Sequence, residues 1–422
     1  MKNPKIRFKG YTDDWEQRKF NEVFDGLQNN TLSRADLNYE SGMIKNVHYG
    51  DVLIKFGDYI DASRTELPYI TDDVKAEKFK GSFLRDGDII IADTAEDDTV
   101  GKCTEIQGSE GLKLLSGLHT IPCRPKQKYG SKYMGYYINS PAYHSQLKPL
   151  MQGIKVTSIS KSALQDTDMF IPKSVDEQTI IGKYFADLDR LITLHQRKYE
   201  QTKLLKKYML QKMFPQNGEK VPEIRFDGFT DDWEQRKLGN VASSFEYGLN
   251  AAAKEYDGEN KYIRITDIDD NTHEFLSDNL TSPDIDLTDA KNYKLIERDI
   301  LFARTGASVG KSYIYRDSDG VVYYAGFLIR ARIKEEYDVE FVFQNTLTDR
   351  YNKYIAVTSQ RSGQPGVNAQ EYSNFEIQVP ESEEQTKIGC YFRNLDHLIT
   401  LHQRKYEELQ KIKKFMLQNM FV

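Results

Sequence analysis

The sequence predicts a mixed α/β protein. Two globular α/β blocks are separated by two long antiparallel helices, and an internal pseudo-twofold repeat relates the halves. Three observations predict this. Residues 6–20 (IRFKGYTDDWEQRKF) return as 224–238 (IRFDGFTDDWEQRKL) with 12 of 15 positions identical. Residues 176–214 return as 383–421 with 26 of 39 identical, including the unbroken LITLHQRKYE at 191–200 and 398–407. Between these frames lie two blocks, 21–175 and 239–382, that share only islands such as DIIIADT at 88–94 with DILFART at 299–305. Self-similarity at this period is a statement about architecture. Near-identical frames around divergent inserts describe one scaffold carrying two different surfaces. The boundaries read as 1–175, 176–215, 216–382 and 383–422.

The long repeats have helical periodicity. Ile181, Leu188, His195, Thr202 and Met209 are seven apart, as are Ile388, Leu395, His402, Leu409 and Met416. Tyr184, Leu191 and Leu205, with Tyr391, Leu398 and Ile412, are expected to form a second seam. Ser174 with Glu177, and Ser382 with Gln385, have capping-box spacing. Pro172 and Pro380 lie just upstream, and Pro215 followed by Asn217 and Gly218 stops the first helix. Each helix of about 37 residues would be about 55 Å long. In an antiparallel pairing His195 and His402, the midpoints of their segments, would meet. They are expected to be a stacked or water-bridged pair, since no third metal ligand is near.

The blocks read as short strands at 51–56, 88–92, 114–121, 262–266, 300–303, 321–333 and 375–379. Tyr-rich helical stretches occupy 131–148 and 338–357, with aromatics that serve a core better than a nucleobase platform. Several loops combine Gly with polar residues. The first block has 94–102, ending in Lys102, and 152–158, with Gln152, Lys155, Thr157 and Ser158. The second has 304–311, with Arg304, Thr305 and Lys311, and 360–368, with Gln360, Arg361, Gln364 and Asn368. Gly admits close backbone approach. Arg and Lys bind guanine edges or phosphate, and Asn and Gln suit adenine. The matched placement makes these residues the candidate DNA-binding set.

The chain has 422 residues, 39% hydrophobic and 29% charged, which suits packed domains. The net charge of −6 excludes a uniformly basic nucleic-acid coat. The second block carries 15 basic against 24 acidic residues, whereas 176–214 carries 8 against 5. The longest apolar run, Val321 to Ile329, is too short for a bilayer. No signal peptide is expected, and Cys103, Cys123 and Cys390 are too scattered for a disulfide framework or zinc cluster. A cytoplasmic protein with no metal site is expected.

Catalytic motifs are missing. GASVGKS at 306–312 is one residue short of a phosphate-binding loop, with Thr305 where its first Gly belongs. There is no Asn/Asp-Pro-Pro-aromatic tetrad and no G-x-G-x-x-G after a strand. Asp72 or Asp73 with Lys75 resembles a nuclease set only loosely, and such clusters are usually solvated turns.

The frame resembles the specificity subunit of Type I restriction–modification enzymes. The resemblance rests on the two RF-x-G-[YF]-TDDWEQRK openings, the two EQT-x-IG helices ending in LITLHQRKYE, and the D-I-[IL]-[IF]-A…VGK core of each block. It spans essentially the whole chain. It implies that each block is a target recognition domain reading half of a bipartite site in double-stranded DNA. The helices would set the spacing and dock two methyltransferase subunits, which carry S-adenosylmethionine and methylate adenine N6. Two motor–nuclease subunits using ATP and Mg²⁺ would complete a restricting assembly. The chain itself would hold no catalytic site and no cofactor. Two other readings stay open on residues alone: a self-contained nuclease or methyltransferase, and a helical adaptor that never touches DNA.

Overall fold

A computed structural model describes residues 3–153, 155–216 and 218–422. Ile154 of the first polar loop and Asn217 of the helix stop lie outside the described residues. The chain forms two compact units, residues 1–194 with 405–422 and residues 195–404. The long helices run Val175–Lys212 and Ser382–Asn419, each 38 residues and so about 57 Å. Each unit thus holds a block and parts of both helices.

In the first unit a five-stranded sheet has the order 24–26, 120–125, 89–92, 103–107, 59–61. Its central strand Ile89–Ala92 is fully buried. A smaller sheet adds parallel pairing of Leu114–Ser116 with Lys45–Val47. In the second unit the sheet order is 242–247, 328–333, 299–303, 312–314. Its central strand Asp299–Ala303 is likewise buried throughout. Residues 51–56, expected to be a strand, instead give 51–54 to the helix Tyr49–Ile54, which His48 caps by accepting from Gly50 N, and 55–56 to the turn after it. The apolar run there serves one buried helix face, where a short run does not distinguish strand from helix. Each Tyr-rich stretch divides, into Tyr133–Asn139 and Pro141–His144, and into Val339–Asn345 and Asp349–Thr358.

The short repeats clamp onto the helix starts. Glu16–Lys19 pairs antiparallel with Asp168–Ile171, and Glu234–Lys237 with Glu376–Val379. Arg7 donates two bonds to Glu177 (2.6 and 2.9 Å), and Arg225 does the same to Glu384 (2.7 and 2.8 Å). Both carboxylates are buried, so the bidentate guanidinium supplies the charge their burial requires. The next residue holds the block. Gln178 accepts from Gly130 N and donates to Pro172 O, and Gln385 accepts from Asp338 N and donates to Pro380 O. Ser174 Oγ accepts from Glu177 N at 3.3 Å, in the expected cap geometry. Ser382 does not cap: it is the first residue of its helix, and Gln385 N bonds Glu381 O.

Within each unit the helix segments run antiparallel. In the first, Phe185 stacks on Phe421 and Asp189 meets Lys413. In the second, His195 meets His402, Lys206 meets Asp396 and Phe214 meets Phe392. The 181/188/195 and 388/395/402 seam is buried or half-buried as expected. The second seam is not the expected one. Leu191, Leu205, Leu398 and Ile412 are at least 36% exposed. The inward positions are Phe185, Ile192, Tyr199, Lys206 and Met213, with Phe392, Ile399, Tyr406, Lys413 and Met420. Lys206 bonds Asp396 at 2.5 Å, and Lys413 bonds Asp189 at 2.7 Å and Asp58 at 2.9 Å. Gln344 donates to Asp396, and Tyr136 donates to Asp189. A polar pair inside an apolar seam tolerates only the register that joins its members.

Each core closes on a Trp. Trp15 packs edge-on against Tyr133 and Phe421, and Trp233 against Phe214 and Phe341. Cys103 and Cys123 are buried free thiols, and burial pushes Cys123 up to about 12. Burial also pushes the Glu105 carboxyl up to about 7, against the pull of N–H groups of Gly135 and Lys132.

Asp396→Ala strands Lys206 in the seam and is expected to destabilise the second unit by about 3 kcal/mol. A lower urea midpoint measures this, and Lys206→Met in the same background should recover part of the loss. Glu105 has a folded pKa above its usual value, so its contribution is complete below about 4.5 and is lost as pH rises to about 7. Against Glu105→Gln, which lacks this titration, wild type should therefore lose ground between about pH 4.5 and about pH 7 and hold level above it.

Candidate nucleic-acid interface

In each unit the buried central strand delivers one residue to the surface just past its final Ala. After Ala92 this is Asp93, and after Ala303 it is Arg304. Their backbones are held alike. Asp93 N donates to His119 O (3.1 Å), and Arg304 N donates to Phe327 O (3.1 Å). Ile159 N donates to Asp93 O (2.8 Å), and Val367 N donates to Arg304 O (2.9 Å). The loops that the sequence keeps apart are joined at this point. Thr94–Ala95 pairs with Thr157–Ser158, and Thr305 bridges Gly366. Gln152 and Ser158 exchange backbone bonds, which turns the first loop back on itself. Lys155 and Ser158 are exposed there, and Val156 is 53% exposed.

The second unit's loops border a cleft of about 820 Å³ whose lining includes Tyr247, Asn250, Arg304, Thr305, Phe327 and Gln364. The Arg304 guanidinium carbon lies 5.1 Å from the Tyr247 ring centre and 5.9 Å from that of Phe327. Aromatic faces attract the guanidinium without neutralising its charge. Arg304 Nε is buried and bonded to nothing among the described residues. Phe327 is 60% exposed beside the Arg304 guanidinium.

The remaining candidates divide by what already holds them. Arg361 is bonded twice to Glu371 and to the carbonyls of Thr358 and Gln360. Asn368 caps the helix Ala369–Ser373 by accepting from Glu371 N. Gln360 and Gln364 are exposed. Lys102 donates to Leu53 O (2.7 Å), and Lys311 donates to Ile268 O (3.0 Å) and meets Asp270. The two Val-Gly-Lys motifs are packing turns. Gly101 and Gly310 have φ of +86° and +87°, and a Cβ there would lie 2.7 Å from Leu147 or 2.6 Å from Ile355. Asp72 caps the helix Asp73–Glu77, so the acidic cluster with Lys75 is a turn.

A second exposed feature was hidden by the wrong seam. Leu191 and Leu194 with Ile412 and Phe415 stand 36–55% exposed in the first unit. Leu398 and Leu401 with Leu205 and Tyr208 repeat this in the second, 40–48% exposed. The sequence signal was present as apolar identity at matched positions.

Among the described residues no group of three or more His, Cys, Asp or Glu side chains could hold a metal. No described helix is long and apolar enough to cross a membrane.

Gly310→Ala is expected to cost about 1–2 kcal/mol for the left-handed backbone alone, with the Ile355 clash added. Thermal unfolding measures it, and an unchanged melting temperature would contradict a packing role.

Comparison with known proteins gives one family. The model of the Type I restriction modification DNA specificity domain matches residues 12–204 and again 230–411. A putative type I restriction enzyme MjaX specificity subunit from Methanocaldococcus jannaschii is 23% identical over 424 residues, covering 95% of this chain and 91% of the relative. The MjaVIII specificity subunit of the same organism is 22% identical over 283 residues, 64% of this chain and 65% of that one. The crystal structure of a Type I restriction–modification S subunit from M. genitalium superposes with a TM-score of 0.64 at 14% identity, covering 100% of this chain and 99% of that one. That likeness is one of fold.

Proposed function

We propose, for a chain that belongs to the Type I restriction–modification DNA specificity family, that each unit reads one half of a bipartite DNA target and that the helix pair fixes the gap between the halves. The coarser role is that of the family: a Type I specificity subunit that recognises DNA sequence and leaves catalysis to separate subunits. One observation carries the finer reading. The two units repeat the same backbone frame around Asp93 and Arg304 and differ in the side chains mounted on it. A frame that is duplicated while its tips diverge suits two words read independently.

Sequence is read by side chains at base edges, whereas phosphate contacts supply affinity. The acidic balance of the second block argues that phosphate neutralisation comes largely from partners. Those partners are two methyltransferase subunits bearing S-adenosylmethionine, joined in a restricting system by two motor–nuclease subunits using ATP and Mg²⁺. The exposed apolar residues support this docking. Four stand on each unit at matched positions, as two copies of one partner would require. The assembly acts on cytoplasmic DNA.

A helix that sets a gap must change it when shortened. Deleting one heptad, 192–198, from the first helix and the matching 399–405 from the second spares Lys206, Lys413 and their carboxylates, keeps the seam in phase and shortens each rod by about 10 Å. Expressed with its methyltransferase subunits, such a chain should methylate sites with a gap shorter by about three base pairs at 3.4 Å each. Mapping N6-methyladenine across the host genome reads the gap. An active complex with the original gap would remove the spacer role.

A further inference from the structure

We infer that Asp93 and Arg304 are the base-reading side chains at one equivalent position of the two units. Arg304 takes the N7/O6 edge of a guanine, and Asp93 takes an exocyclic amino group of cytosine or adenine. This rests on the bipartite reading above and names its chemistry.

The equivalence is geometric. Each residue follows the buried strand by one step, and each is fixed on both sides by the same backbone bonds, to residue 119 or 327 and from residue 159 or 367. The position cannot drift, so its side chain is aimed by the core. What it carries is opposite in charge. In the second unit the neighbouring arginines are used internally. Arg264 is paired with Asp267, Arg316 with Glu340, Arg330 with Glu246 and Arg332 with Asp299. Among the described residues Arg304 meets no carboxylate, and its Nε is unbonded. It is a charged fork whose guanidinium carbon lies over the Tyr247 and Phe327 rings at the edge of an open cleft. A guanidinium so placed, whose terminal nitrogens bond no described residue, matches the two acceptors that guanine alone presents in the major groove.

In the first unit Asp93 Oδ1 accepts from Thr94 Oγ1 at 2.7 Å and lies 3.4 Å from His119 Nδ1. Oδ2 has no protein partner among the described residues. His119 stands where Phe327 stands in the second unit, in a left-handed backbone (φ 55°) with its ring edge-on to Tyr49. An acceptor-only carboxylate oxygen at a partly exposed position seeks a donor, and on a base edge the donors are the amino groups of cytosine and adenine.

The test uses the full chain with its methyltransferase subunits in a host free of other adenine methylation, mapping N6-methyladenine. Arg304→Ala should relax one position, a G·C pair in the wild-type word, by about tenfold or more in one half only. Arg304→Lys, which keeps the charge and loses the fork, should relax the same position. Asp93→Ala should relax one position in the other half only. A wild-type word with no G·C in either half, a word unaltered by both arginine variants, or loss of both halves together in both of them would each overturn the inference. Absence of any methylation dependent on this chain would instead sink the sequence-reading role itself.

Discussion

The two lysines in the helix seam, Lys206 and Lys413, constrain everything else. Each stands at an inward position where an apolar residue would otherwise sit, and each reaches a carboxylate on the opposing helix. An apolar seam alone tolerates slippage by a heptad, because one aliphatic contact replaces another at small cost. A half-buried ammonium does not, since one step of slippage leaves it without its anion. Asp189 and Asp396 are tied in turn to Tyr136 and Gln344 on the first helix of each Tyr-rich stretch. The register of the rods is thereby coupled to the seating of each block.

The cores make the same demand from the apolar side. Phe421 completes the first core beside Trp15, and Phe214 completes the second beside Trp233. Each of these residues lies two positions past the end of a 38-residue helix. The short repeats then lock the other helix end through Arg7–Glu177 and Arg225–Glu384. This accounts for part of the distribution of sequence identity. Part of the repeat closes the frame, where closure permits little substitution, and part, such as Leu191, Leu194, Leu398 and Leu401, stands exposed at matched positions.

Much of this was legible in the sequence, and the misses have physical causes. The duplication, the helix limits to within a few residues and the first seam follow from periodicity. The second seam did not, because Tyr199, Lys206, Tyr406 and Lys413 occupy inward positions that a hydrophobicity pattern assigns to solvent. Leu191, Leu205, Leu398 and Ile412 filled the apparent gap and proved exposed. The polar loops were legible as loops. Which of their side chains remain available was not, since Arg304 and Arg361 look alike in sequence. Only the fold shows that Glu371 engages one and two aromatic rings hold the other.

On the proposed reading, the acidic second block is consistent with its task. Its arginines are mostly committed to carboxylates within the unit, which stiffens the scaffold and lowers its general attraction for phosphate. A reader that grips any backbone discriminates poorly, because non-specific sites compete in great excess. Confining positive charge to a planar fork at a fixed point converts it from a source of affinity into a source of discrimination. The affinity then has to come from the assembled complex. Because the same frame accepts Asp93 in one unit and Arg304 in the other, a word can change by substitution at its tip without disturbing the rods or the opposite word.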